Sequence, residues 1–238
     1  MTSEQNTAVK DFRIDIADSV LEDLNTRLDL ARFPVQAEGA DWQWGANLDF
    51  MKELVAYWRN EYDWRQAEAE LNAYPQFMAS VTDPLSGETF DIHFVHVRGS
   101  KSAGGASPTP LLISHGWPGS FFELLGIINP LAHPEKFGAP DAPAFDVIVP
   151  SLPGYGFSSS PKAPITPKDM ARIFHSLMTD VLGYDTYTTQ GGDWGSVITA
   201  WMAQANPDQV RASHFNMLGL IPFVGPDSPP LTTEESNW

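Results

Sequence analysis

Cysteine is absent from the 238 residues, so disulfides, thiolate metal sites and cysteine nucleophiles are excluded. Its absence suits a reducing compartment. Positive charge is scarce as well: 14 Lys and Arg stand against 30 Asp and Glu, a net of −16. Such a balance disfavours binding to nucleic-acid backbones or anionic membranes. No apolar run reaches the roughly 18 residues that a membrane helix needs. The polar opening, residues 1–10, lacks the apolar centre of a signal peptide. The expectation is a soluble, cytoplasmic protein with neither nucleic-acid nor membrane partners. What is present is long enough to bury a sizeable core, as one α/β domain or a domain with an extension.

The first eighty residues read as mainly helical. Asp18 is placed to cap a helix carrying Val20, Leu21, Leu24 and Leu28 on one face, closed by Pro34. Trp42 and Trp44 lie close together in a loop, and two such rings read as a packing plug rather than a ligand site. Asn47 can cap a second helix through Leu48, Met51, Leu54, Val55 and Trp58. Asp63 with Gln66 forms a capping-box pattern for a third, ahead of Pro75. From Thr89 the period changes. Phe90, Ile92 and Phe94 alternate with Asp91 and His93, and Val95 and Val97 flank His96, the pattern of strands with one buried face. No third ligand accompanies His93 and His96, so both read as surface or core residues and no metal site is expected.

After a polar Gly/Ser/Pro-rich loop over 101–110, the chain alternates strand and helix. Residues 111–114 form a buried strand that runs into His115-Gly116-Trp117-Pro118-Gly119-Ser120 and a helix through Phe122, Leu124, Leu125 and Ile128. Residues 145–149 are the next strand, followed by the loop 150–158. Thr166, with Pro167 and Asp169, starts a long helix that Gly183 ends; His175 within it reads as a packing or surface residue. A further strand, helix and strand end near residue 217. This alternation points to a mostly parallel, doubly wound α/β sheet with its active loops at the carboxyl edge of the strands.

The stretch 187–200 is a strand, a glycine-cornered turn with Asp193 at its apex, and a helix. The glycines would let the Asp193 side chain stand exposed above the sheet edge, in the manner of a nucleophile elbow with carboxylate in place of serine. A carboxylate there can form an ester with carbon. The alternative is a glycine-rich turn in which Asp193 merely caps its own helix. The His115-Gly116-Trp117 turn also has two readings: a donor of one oxyanion-hole amide from Trp117, or a tight turn needing Gly and Pro for shape.

Together the motifs His115-Gly116-Trp117-Pro118-Gly119-Ser120, Pro153-Gly154-Tyr155-Gly156-Phe157-Ser158 and Gly191-Gly192-Asp193-Trp194-Gly195-Ser196 resemble the epoxide hydrolases of the α/β-hydrolase superfamily, in their microsomal-type branch. The segments 57–65, 71–77 and 92–96 resemble the helical extension before that branch's core. The resemblance implies three segments: an N-terminal extension over 1–88, the first part of an α/β-hydrolase core over 89–230, and the start of a cap over 231–238. It implies Asp193 as nucleophile, the Trp117 and Trp194 backbone N–H groups as the oxyanion hole, and Trp117, Trp194 and His115 as substrate contacts. No cofactor is implied. The implied partners are a small-molecule epoxide and, from the family's habit, a second copy of the chain.

The family's later parts are not found. Its base histidine follows the nucleophile, yet after Asp193 the one histidine is His214, in the next strand. The charge-relay acid, cap tyrosines and last strands are not recognised either, and Asp227 is a weak substitute for the acid. The expectation is an epoxide hydrolase truncated before its cap, without steady turnover in residues 1–238. Two other readings stay open. A haloalkane or haloacid dehalogenase also places Trp after the elbow Asp, and a non-catalytic protein could keep the half-fold for binding or assembly.

Overall fold

A computed structural model of the chain describes residues 9–101, 105–217, 230 and 232–234. Asp227 and most of the segment 231–238 lie outside them. The chain divides into two compact units, residues 10–77 and residues 78–238 with the first nine. The division falls between Phe77 and Met78.

The smaller unit holds β1 (Lys10–Phe12), α1 (Asp18–Asp29), α2 (Leu48–Asn60) and α3 (Trp64–Leu71). Asn47 caps α2, accepting from Asp49 N and Phe50 N, and Asp63 caps α3, accepting from Gln66 N. At α1 the sequence expectation fails by one residue. Ala17 is the N-cap, and Asp18 is the first helical residue, its carboxylate taken up by Arg65 at 2.5 Å. The extended segment before α1 is held by α3 and its end. Asn72 accepts from Ile14 N and donates to Ile14 O, both at 2.9 Å, and Glu68 accepts from Ile16 N at 2.7 Å. Trp42 packs on Phe50, ring centroids 5.2 Å apart. The two tryptophans do not form a plug, for Trp42 is 55% and Trp44 83% exposed.

The larger unit is built on β2 (Gln76–Thr82, in this unit from Met78 on), β3 (Thr89–Val97), β4 (Thr109–Ser114), β5 (Phe145–Pro150), β6 (Tyr187–Gly191) and β7 (Val210–Phe215), in sheet order β2-β3-β5-β4-β6-β7. β3 runs antiparallel to β5, and β5, β4, β6 and β7 are parallel. The crossover helices are α4 (Leu125–Ala132), α5 (Pro167–Ser176, continued by a π turn Leu177–Val181) and α6 (Trp194–Ala205). Thr166 begins α5 with a capping box to Asp169, as its sequence requires. β3 departs from the expected single buried face. From Ile92 to Val97 every residue is buried, because β3 lies inside the sheet rather than at its rim.

Leaving β4, the chain goes first to β5 on one side and later to β6 on the other. The strand order therefore reverses at β4, and a crevice opens at the carboxyl ends of β4 and β6, where open α/β sheets place their sites.

Candidate active site

β6 ends at Gly191, and α6 begins at Trp194. Between them Asp193 has φ 52° and ψ −128°, the one non-glycine residue with positive φ among those described. Such a backbone state costs about 1–3 kcal/mol and persists only where its surroundings impose it. Here they do. A Cβ on Gly191 would collide with the backbone of Gly195, and one on Gly195 with the backbone of Ser114 and His115, so β6, the turn and α6 close onto the end of β4 only with glycine at both places.

Asp193 occupies the N-cap position of α6, yet its side chain makes no capping bond. That removes the simple helix-cap reading. The carboxylate turns instead to the loop after β4, where Oδ1 accepts the Trp117 N–H at 2.7 Å. Ser196 supports the turn from below, its Oγ donating to Asp193 O at 2.7 Å. Gly116 leaves the room for this contact, since a Cβ there would press on the Asp193 side chain. The carboxylate thus stands where the unsatisfied N–H groups of a helix start favour an anion.

Three of the four expected site residues are brought together. The Trp117 amide is on Asp193, and Trp194 follows it at the first helical position, where its N–H has no intrahelical acceptor. Trp117 is 63% and Trp194 44% exposed, so both indoles are open to a ligand.

His115 is the correction. The residue is 2% exposed, and both ring nitrogens are engaged by main chain: Nε2 with Leu152 N at 3.1 Å and Nδ1 with Gly116 O at 3.0 Å. It is not placed to touch a substrate, because β4 delivers it into the core beneath the turn.

No histidine hydrogen-bonds Asp193 among the described residues. His93 is fully buried with Nδ1 2.9 Å from Ser151 Oγ, and burial holds its pKa down to about 4. His96 is likewise held at about 4 by burial, 3.1 Å from the Tyr184 hydroxyl. His175 bonds Tyr187 and His133 bonds Ser100. His214 pairs in register with Gln190 and lines a cavity of about 650 Å³ on the sheet face with Leu111, Ile113 and Phe145, a set without Asp193. Nor does any group of three or more His, Cys, Asp or Glu among the described residues suit a metal ion.

The sequence reading missed the scaffold behind the site. Ser151 N donates to His93 O at 2.8 Å, Ser158 Oγ donates to Ser151 O at 2.8 Å, and His93 N donates to Ser158 Oγ at 3.0 Å. These bonds bind the loop after β5 to β3. His93 and Ser151 are far apart in the chain, so no local spacing announces them.

Residues 109–235 match the family model described as alpha/beta hydrolase fold. The chain belongs to that family. Residues 9–124 match a second model, described as Epoxide hydrolase N terminus. Epoxide hydrolase 1 of Oryctolagus cuniculus is 39% identical over 214 residues, which are 90% of this chain and 46% of the relative. The crystal structure of juvenile hormone epoxide hydrolase from the silkworm Bombyx mori superposes with a TM-score of 0.75 at 32% identity, covering 90% of this chain and 54% of that one. The Aspergillus niger epoxide hydrolase structure gives 0.74 at 30% identity, covering 97% and 58%. The chain therefore spans about half the length of the relatives it matches. None of its described helices is long and apolar enough to cross a membrane.

Proposed function

We propose that this chain carries the nucleophile half of an epoxide hydrolase site, which converts an epoxide to a vicinal diol through an ester on Asp193. An Asp193 carboxylate oxygen attacks one ring carbon, and the carbon–oxygen bond of the ring breaks. The freed alkoxide takes a proton from an acid, leaving a hydroxyalkyl ester. Water then adds to the ester carbonyl, and the oxyanion so formed accepts the Trp117 and Trp194 N–H groups. Each such donor contributes about 2.7–4 kcal/mol in comparable sites. Collapse of that intermediate releases the diol and regenerates the carboxylate. The observation that carries this reading is the Asp193 carboxylate, which ignores its own helix and rests on the Trp117 amide at 2.7 Å.

Among the described residues none is placed as the acid or the base at Asp193, so with water protonating the freed alkoxide the reaction should stop at the ester, a missing base alone costing typically about 10²–10⁴-fold. The test is incubation with excess styrene oxide, followed by intact-mass and peptide analysis. One adduct with the mass of a whole styrene oxide is expected on Asp193, and none in Asp193→Asn. Alkylation elsewhere with Asp193 untouched would defeat the assignment. Release of bromide from 1,2-dibromoethane with no reaction toward the epoxide would favour a dehalogenase. The N-terminal match over 9–124 supports the epoxide reading over that one.

A further inference from the structure

The buried His115 ring has a distinct part in this site. A main-chain N–H can only donate, so the nitrogen facing Leu152 N, Nε2 at 3.1 Å, must be the bare one of a neutral ring. The proton then sits on Nδ1, opposite a carbonyl that can only accept, Gly116 O at 3.0 Å. The two partners specify a single tautomer.

Gly116 O belongs to the same peptide plane as the Trp117 N–H, and that peptide is trans, the Trp117–Pro118 bond being the cis one. In a trans peptide the C=O and N–H point in opposite directions, so whatever holds the oxygen also aims the hydrogen. The hydrogen is aimed at Asp193 Oδ1, 2.7 Å from Trp117 N. Were the plane to turn over, a carbonyl oxygen would face the carboxylate and the donor would be lost. Through Leu152 the same ring is tied to the loop that follows β5, the neighbour of β4 in the sheet.

We propose that His115 is a positioning residue: its ring locks the Gly116–Trp117 peptide plane so that the Trp117 N–H faces the reacting carboxyl group of Asp193. The proposal rests on the reading of Asp193 and the Trp117 amide as the reaction site. The groups that face the ring are few. Glu123 acts on it as a nearby negative charge, Asp193 lies beyond the peptide it holds, and Tyr155 meets it edge-on at 5.6 Å between centroids. Burial lowers the pKa of His115, the larger effect, so the lock persists below the pH of about 6.5 at which an exposed histidine titrates. It fails on acidification, when a proton on Nε2 would oppose the Leu152 N–H.

The test is NMR on the 15N-labelled full chain. Long-range proton–nitrogen spectra should show His115 protonated on Nδ1 and bare on Nε2; the opposite tautomer overturns the proposal whatever any variant does. His115→Phe keeps bulk without either bond, and His115→Asn keeps a donor near Nδ1. In His115→Phe the Trp117 amide should shift and exchange with solvent about tenfold faster, the scale of one lost hydrogen bond, and His115→Asn should recover most of that change. An unchanged Trp117 amide in folded His115→Phe overturns the proposal, and if that variant does not fold the tautomer still decides. Neither readout uses an epoxide, so failure of the Asp193 ester assay would strike the functional reading alone.

Discussion

Replacing Gly195 with alanine separates what helix propensity dictates from what the elbow dictates. Gly195 is the second residue of α6, as Gly126 is of α4, and alanine is the better helix former at both. At Gly126 an added Cβ meets no heavy atom within 4 Å, so Gly126→Ala should stabilise by about 0.5–1 kcal/mol. At Gly195 the Cβ would lie 2.8 Å from His115 O and nearer still to Ser114 O, both backbone atoms. Reaching ordinary contact at 3.4 Å needs at least 3.4 − 2.8 = 0.6 Å of movement at His115 and more at Ser114. Ser114 is paired in register with Gly191, so the strain passes into the β4–β6 ladder. Overpacking costs about 1–3 kcal/mol, and with backbone as the obstacle we place Gly195→Ala near ~3 kcal/mol destabilising. At roughly 2–4 °C per kcal/mol for a chain of this size, its melting temperature should fall about 6–12 °C, while that of Gly126→Ala rises. Far-UV circular dichroism during heating, repeated in urea, reads both. Equal midpoints for the two variants would refute the tight closure of α6 onto β4, and with it the reason Asp193 is held at positive φ.

The buried ion pair between the β2–β3 turn and α5 should be as sensitive. Asp83, its side chain 4% exposed, accepts from Arg172 at 2.9 and 3.1 Å, and that guanidinium is the main cause holding its carboxyl well below the usual range. Arg172→Met leaves the carboxylate buried and should cost about 3 kcal/mol in urea unfolding, the lower end for such pairs because Arg172 is partly open to water. A lowered carboxyl pKa contributes stability that is present above the unfolded value and lost below it, so the gap between the two proteins should narrow below about pH 4. His93 and His96 act in the same direction from a higher pH. Both are held near 4 by burial against an ordinary 6.5, so the unfolded chain binds their protons first and stability falls from about pH 6.5 toward 4. The loss should be on the order of 3 kcal/mol for each histidine, and His96→Gln should flatten the urea-midpoint profile; an unchanged profile would refute its burial as the neutral form.

The sequence by itself determined the features that neighbouring residues settle among themselves. The caps at Asn47, Asp63 and Thr166 follow from a side chain reaching two or three residues along its own chain. The elbow was legible for the same reason, since glycines on either side of one acid admit a turn that other residues forbid. Tertiary structure alone decided which of two local readings held. Asp193 could have capped α6, and only the arrival of the Trp117 amide from β4, seventy-six positions away, draws its carboxylate across the crevice. His115 reads in sequence as a group at the mouth of the site, yet the end of β4 turns it inward, where Leu152 and Gly116 claim both nitrogens. Likewise β3 became buried on both faces, because strand order is set by pairings between distant segments. Periodicity records which side of an element is apolar, whereas the partner that covers that side comes from elsewhere in the chain.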